Sequence, residues 1–522
     1  MSPLDDRVPK LATGISGFDS IALGGLPAGR ATLVAGTTGS GKTVFAAEFL
    51  AQGIRRFHQP GVFVTFEERP DDLRDNLASL GFDVASWEAE GTWAFVDASP
   101  DLDEQIVGGA YEFNALVARV RHAASRVGAE RVVLDSLGAV FSRFQDPAVV
   151  RLELSRVIAA LRELGITAVL TAERTHEYDA VARFGVEEFV SDNVVILRNV
   201  IEEEKRRRSV EILKLRGAPH RSGEFSFTIV PGEGISVIPL ALITMRQRAS
   251  QERVSLGNAE LDAMFGGGAY RDTVTFVSGP TGVGKTIMAS TFIAAGIAAG
   301  ERCLLQSFEE SRDQILRNAL SWGMDLEAME RSGLLRVVSE YPEVASLEDH
   351  YVSIRQLLDE FQPQRIVIDN LSALERVATQ RGLRDFIIGL TSFLRQHDVS
   401  SLFTSATTSL LGTQPVTESH ASALTDAIEL LRYVEVGGAV RRALAVLKVR
   451  GSAHDGRIHE FTIDDSGVHI GEPFSGLAGI LAGSIAQWRT DPESARGIGR
   501  RGRLVVTEHI VVPVRRPAAS AR

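Results

Sequence analysis

Two stretches of this sequence have the residue types and spacing for phosphate chemistry. Gly36-Thr37-Thr38-Gly39-Ser40-Gly41-Lys42-Thr43 fits the pattern G-x-x-x-x-G-K-[ST] at every fixed position, and Gly279-Pro280-Thr281-Gly282-Val283-Gly284-Lys285-Thr286 fits it again. The glycines free the backbone to wrap an anion, while successive N–H groups and the positive end of the following helix converge on it. Lys42 and Lys285 then face the outer phosphates, and the hydroxyls of Thr43 and Thr286 are the expected Mg²⁺ ligands. One match in a glycine-rich turn carries little weight; two in matching contexts carry a great deal.

Acids recur in step with the loops. Phe66-Glu67-Glu68 is matched by Phe308-Glu309-Glu310, and Leu134-Asp135 by Ile368-Asp369. An aspartate at the end of an apolar strand suits the role of holding Mg²⁺ and its waters, so Asp135 and Asp369 join the threonines as candidate metal residues. A glutamate one strand from the loop can orient and deprotonate an attacking water, which makes Glu67, Glu68, Glu309 and Glu310 the candidates for catalysis. Lys214-Leu215-Arg216 and Lys448-Val449-Arg450 read as alternating positions on strands, with both cations on one face. They could serve a phosphate on a neighbouring subunit, or simply line a solvated edge. The run Glu202–Arg208 reads as an exposed hairpin turn and is given no chemistry. The eleven histidines show no zinc-ligand spacing.

Residues 31–35 and 273–277 read as short buried strands that enter the loops, and residues 44–57 and 287–299 as proline-free helices that leave them. Within each half, apolar strand-like runs alternate with helical patterns, which predicts a mainly parallel sheet flanked by helices, with ligands at the carboxyl ends of its strands. The expected organisation is an N-terminal domain over 1–240, a C-terminal domain over 241–475, and a tail over 476–522. Within that tail, Arg496 to Arg522 holds seven arginines against one acid, Glu508.

At 522 residues the chain exceeds one ordinary core, and 44% apolar with 24% charged residues is the balance of a folded protein. The single cysteine, Cys303, lies in an apolar run and reads as a core thiol in a reducing compartment. No run has the roughly 18 unbroken apolar residues of a membrane span and no signal-peptide core is present, so a cytoplasmic protein with no membrane partner is expected. A net charge of −11 is unlike the basic footprint of a nucleic-acid binder.

Longer runs share these motifs' surroundings: Pro60–Glu68, Gly185–Asn199, and Ser321-Trp322-Gly323-Met324-Asp325. With the loops they resemble the KaiC family of circadian-clock ATPases and autokinases, double-domain members of the RecA/DnaB-like ATPases, over roughly residues 10 to 475. The resemblance implies two tandem RecA-like P-loop NTPase domains of α/β class. It further implies a homohexamer of two stacked rings, with ATP and Mg²⁺ between neighbouring subunits. The N-terminal ring would be a slow ATPase using Glu67 and Glu68. In the C-terminal ring Glu309, also a metal residue, would be the general base for phosphoryl transfer to a hydroxyl of the adjacent subunit, with Glu310 beside it.

Carried over residue by residue, the ATP contacts of the first half are Gly36, Thr38, Gly39, Ser40, Gly41, Lys42, Thr43, Val44, Ser79, Lys214, Leu215, Arg216 and His220. Those of the second are Gly279, Thr281, Gly282, Val283, Gly284, Lys285, Thr286, Ile287, Trp322, Arg442, Lys448, Val449 and Arg450. The family's phosphorylation segment falls on Thr417–Ala423. Ser422 takes the phosphoserine position and Thr417 a nearby hydroxyl, while Ala423 stands where the family has its phosphothreonine, so a two-site cycle of the usual kind cannot run. The alternative is a plain loop into a helix containing Ala427–Leu431. The basic tail departs from the family pattern and argues against a KaiA partner, whereas a KaiB-like partner of the N-terminal ring fits. Two rival functions stay open: a DNA-dependent motor or recombinase on the same core, and a scaffold that ATP merely holds together.

Overall fold

The computed structural model describes residues 8–99, 110–138, 147–178, 191–202, 205–238, 250–407, 425–436, 438–475, 477–478 and 486–487. Thr417, Ser422, Ala423 and the arginine-rich tail lie outside them. The chain divides into two compact units, one over 1–245 with 345–356, the other over 246–344 with 357–522.

The first unit is built on nine strands: β1 Ala31–Gly36, β2 Gly61–Thr65, β3 Trp93–Asp97, β4 Arg131–Asp135, β5 Thr167–Glu173, β6 Asn193–Glu202, β7 Lys205–Leu215, β8 Glu224–Val230 and β9 Gly234–Val237. They lie in the order β3-β2-β4-β5-β1-β6-β7-β8-β9. The first six of that order run parallel and the last three extend the sheet antiparallel. The second unit repeats the plan with β10 Val274–Gly279, β11 Cys303–Ser307, β12 Leu335–Ser339, β13 Arg365–Asp369, β14 Ser400–Ala406, β15 Ala427–Val436, β16 Ala439–Val449, β17 Ile458–Asp464 and β18 Gly467–Pro473, in the order β12-β11-β13-β14-β10-β15-β16-β17-β18. Each of these strands thus has its counterpart nine labels away. The two domains are tandem RecA-like α/β units.

Continuous apolar strands are explained by burial of both sheet faces. In the first unit Val34, Phe63, Val133 and Val169 pack under the helix that follows the loop, α1 (Lys42–Phe57), through its Phe45 and Phe49. On the other face Leu33, Val64, Leu134 and Leu170 meet Val120 of the helix Ala110–Val127 and Leu154 and Leu161 of the helix Pro147–Glu163. The helix α2 (Pro70–Ser79) follows β2, and in the second unit Val277, Leu305 and Val367 pack on Ile287 and Phe292 of α3 (Lys285–Ala298). Cys303 is fully buried, and burial pushes its thiol up to about 12.

Each unit is fastened by a buried arginine at the start of the aspartate strand. Arg131 donates to the carbonyls of Ala12, Thr13 and Phe49, and stacks over the Phe49 ring at 4.7 Å. Arg365 donates to Ser255 and Phe292 and stacks over Phe292 at 4.7 Å. The helix gives way for the guanidinium: a Cβ at Gly53 or Gly296 would stand 2.6 Å or 2.5 Å from its arginine.

Three expectations are corrected. Ala427–Val436 is strand β15, not helix. It is a doubly buried neighbour of the loop strand, and an apolar run of that kind carries no periodicity to tell the two apart. Glu202 closes β6 and Lys205 to Arg208 belong to β7, so these residues are strand and not turn. Strand β7 ends at Leu215, which leaves Arg216 in the following turn instead of alternating along the strand with Lys214.

Candidate active site

Both loops leave the carboxyl end of the central strand and enter a helix whose first residue is the lysine. Gly41 and Gly284, just before the lysines, have φ of 93° and 123°, a backbone that side-chain-bearing residues avoid. Lys42 Nζ donates to Thr37 O and Lys285 Nζ to Pro280 O, each at 2.9 Å, so each ammonium is curled into its own loop. Burial, first among the causes, lowers the pKa of both lysines, opposed by nearby acids. Thr38 and Thr281 are exposed at the loop tips, while Val283 and Ile287 are buried and offer the site only their backbone. Val44 is partly buried against the first core.

The aspartates close on the threonines. Thr286 Oγ1 donates to Asp369 Oδ2 at 3.0 Å, and Thr404 donates to the other carboxylate oxygen. Asp135 takes the equivalent bonds from Thr43 and Thr171. Burial raises the pKa of both aspartates, and the hydroxyl donors and the loop lysine hold it back. Each aspartate also fixes the glutamate strand, its carbonyl accepting from Phe66 N at 2.9 Å and Phe308 N at 2.7 Å.

The glutamates follow β2 and β11 directly. Ser136 Oγ donates to Glu67 Oε1 at 2.9 Å, and Asn76 Nδ2 of α2 to Glu68 Oε2 at 3.1 Å. In the second unit Asn318 Nδ2, on α4 (Arg312–Leu320), donates to Glu310 Oε2 at 3.0 Å. Burial, then the Asp369 charge, raises the pKa of Glu310. The asparagines were missed in the sequence, although Asn76-x-x-Ser79 and Asn318-x-x-Ser321 repeat. Ser79 caps the end of α2 by donating to Asn76 O at 2.7 Å, and Trp322 packs partly buried on the second core.

The remaining cations divide by position. Lys214, Leu215 and Arg216 lie at the start of the parallel strands, with Leu215 paired to Asn193 and Arg30 donating to Arg216 O. Lys448, Val449 and Arg450 lie likewise, Val449 paired to Ala427. This is the opposite end of each sheet from the loop of the same unit. An aspartate anchors each group: Asp192 faces Arg216 at 3.7 Å and takes a bond from Arg162, and Asp426 faces Arg450 at 3.5 Å and Arg395 at 2.7 Å. Burial and then Arg450 lower the pKa of Lys448. His220 lies in the nearby loop, its Nδ1 3.2 Å from Arg221 O. A β-bulge precedes each lysine and turns Leu213 and Leu447 outward, 45% and 38% exposed, which no alternation pattern anticipates.

Arg442 is at the other end. It stacks 5.9 Å from the Tyr433 ring, whose hydroxyl stands 3.2 Å from where a Cβ of Gly282 would lie. The first unit has Arg208 at this position, its Nε 3.3 Å from Gly39 O, in the very run that the sequence left without chemistry.

In each unit a threonine hydroxyl and a carboxylate meet beside a lysine on a glycine loop, a donor set suited to a hard divalent cation shared with phosphate oxygens. Among the described residues no cluster of three or more His, Cys, Asp or Glu could hold a metal ion. No described helix is long and apolar enough to cross a membrane.

The family model described as "ATPase: KaiC" matches residues 11–241 and again 254–475. The chain is 54% identical over 480 residues to the circadian clock protein KaiC3 of Synechocystis sp., covering 92% of this chain and 95% of that protein. It is 48% identical over 488 residues to the circadian clock oscillator protein KaiC of Thermostichus vulcanus, covering 94% of each. With the oscillator protein KaiC of Synechococcus elongatus it shares 47% identity over 500 residues, 95% of this chain and 96% of that one.

Proposed function

The chain belongs to the KaiC family of ATPases, and on that premise we propose that it is an ATP-hydrolysing, autophosphorylating serine/threonine kinase. It would work as a double-ring homohexamer in circadian timing or related signalling. The observation that carries the reading is the duplicated cluster in which Thr43 meets Asp135 and Thr286 meets Asp369 beside a loop lysine. Thr43 with Asp135, and Thr286 with Asp369 and Glu309, would hold Mg²⁺, which when bound neutralises charge on the phosphates.

Each loop's N–H groups bind the phosphates, and Lys42 or Lys285 swings from its loop carbonyl onto them. In the N-terminal site Glu67, oriented by Ser136, takes the proton from an attacking water, with Glu68 held beside it by Asn76. In the C-terminal site Glu309 takes the proton from a hydroxyl of an adjacent subunit, Ser422 or Thr417. Lys214, Arg216, Lys448 and Arg450 lie too far around their own sheets to serve their own loops, which supports their reaching a neighbour's nucleotide. The acceptor reading is tested with γ-labelled ATP. Ser422→Ala should lose label and Glu309→Gln should bind nucleotide without transferring phosphate; label retained by the first removes Ser422 as acceptor, label retained by the second removes Glu309 as base, and no label on the unsubstituted chain removes the kinase. Ala423 favours the scaffold reading instead, which predicts hexamers with negligible turnover and no label. A KaiB-like partner for the N-terminal ring is part of the proposal; a KaiA partner and nucleic acid are not.

A further inference from the structure

Strand β5 lies between the loop strand β1 and the aspartate strand β4, and its last residue is Glu173, paired in register with Gly36, the first glycine of the loop. The next residue locks that register, Arg174 N donating to Gly36 O at 3.0 Å. The Glu173 side chain runs over the turn beyond β4: a Cβ placed on Gly138 would lie 3.8 Å from Glu173 Cγ and 3.5 Å from Ser136 Oγ, the group that holds Glu67. Of the acids that act on Lys42, Glu173 acts most strongly, ahead of Asp135, Glu67 and Glu177. Strand β14 makes the same connection in the second unit, with Thr407 N donating to Gly279 O at 3.1 Å, yet the residue in register with Gly279 is Ala406. One site therefore carries a carboxylate beside its loop where the other carries a methyl group.

Resting on the nucleotide-binding reading above, we infer that Glu173 is a specificity-determining residue of the N-terminal site. Its carboxylate competes with the terminal phosphate of a nucleoside triphosphate for Lys42 and repels that phosphate, so this site discriminates less between tri- and diphosphate than the C-terminal one. A diphosphate ends one phosphate short and escapes most of the repulsion. The charge acts where screening is weakest, at the partly buried foot of the loop.

The test is calorimetric, on the full chain with Mg²⁺, using ADP and the slowly hydrolysed analogue ATPγS. In a Lys285→Ala background, which leaves the N-terminal site to report, Glu173→Gln should raise the ratio of the ADP Kd to the ATPγS Kd by about tenfold, the effect of one charge a few ångströms away at a partly screened surface. In a Lys42→Ala background Ala406→Glu should lower the same ratio at the C-terminal site by about as much, and this variant decides the matter if Glu173→Gln fails to fold. An unchanged ratio in both, or equal weakening of both nucleotides by Glu173→Gln, overturns the inference and leaves the nucleotide reading intact. Failure of the unsubstituted chain to bind either nucleotide overturns the nucleotide reading itself.

Discussion

Among the described residues, Glu173, Asp135, Glu67 and Glu177 act on Lys42, whereas Asp369 and Glu309 act on Lys285. Ser40 buries a hydroxyl without a described partner in the first loop, where the second has the apolar Val283. Thr37 donates to Glu177 at 2.5 Å, and the second loop has Pro280 there, which has no such hydroxyl. The threonine–aspartate pair, the asparagine on the second glutamate and the lysine on its loop carbonyl are common to both. What positions the phosphates is thus held constant, while the electric field around them differs. A duplicated fold can give its two sites different chemistry without moving a strand.

The sharpest way to break the comparison is to silence one loop at a time. Lys42→Ala and Lys285→Ala should each reduce bound nucleotide from two per chain to one, measured by equilibrium dialysis with labelled ATP. If either variant empties both sites, they are not independent pockets. A second test concerns the buried arginines, since Arg365 pairs with the charged Glu301 at 2.5 Å while the side chain that Arg131 meets at 2.9 Å is the neutral Gln59. Arg365→Met leaves Glu301 with Arg271 as its remaining cation and frees the carbonyls of Ser255 and Phe292, and should destabilise its unit by about 2–4 kcal/mol. Arg131→Met strands only carbonyls and should cost about 1–3 kcal/mol in the other, both read from urea unfolding.

A third comparison sets one buried glutamate against another. Burial pushes Glu48 in α1, and Glu429 in β15, up to about 8. Glu48 accepts from Ile235 N at 2.6 Å, while Glu429 Oε1 has no partner among the described residues. Each folded unit keeps a proton that the unfolded chain has shed above its ordinary value near 4.5. Stability therefore falls as pH climbs from there to about 8. Glu48→Gln and Glu429→Gln should each flatten that decline for their own unit, seen in thermal scans between pH 5 and 8. The smallest effect is expected at Ser136. Its counterpart Asn370 turns to Ser372 instead, and no hydrogen bond reaches the Glu309 carboxylate among the described residues. Ser136→Ala should slow N-terminal hydrolysis about fivefold, the worth of roughly 1 kcal/mol of lost orientation; an unchanged rate would separate Glu67 from the reaction.

The loops, the strands that feed them, the helices behind them and the acids at the strand ends were all legible, because phosphate binding restricts both residue type and spacing. Strand β15 was read as helix since its apolar run is buried on both faces. Arg131 and Arg365 escaped notice because arginine is expected outside, and only their carbonyl partners, distant in sequence, give them a place in the core. The bulges at Leu213 and Leu447 add a residue that no period of two reveals. Glu173 and Arg208 escaped because their neighbours in space, Gly36 and Gly39, are far off in the chain.

Strand β4 begins at Arg131 and ends at Asp135, and α1 begins at Lys42 and is gripped at Phe49 by that same arginine. The lysine and the aspartate of the site are therefore carried on arms pinned together at the rear. The leading segment at Ala12 and Thr13 shares that pin, so its placement bears on the gap between the two groups by a route that bypasses the glycine loop.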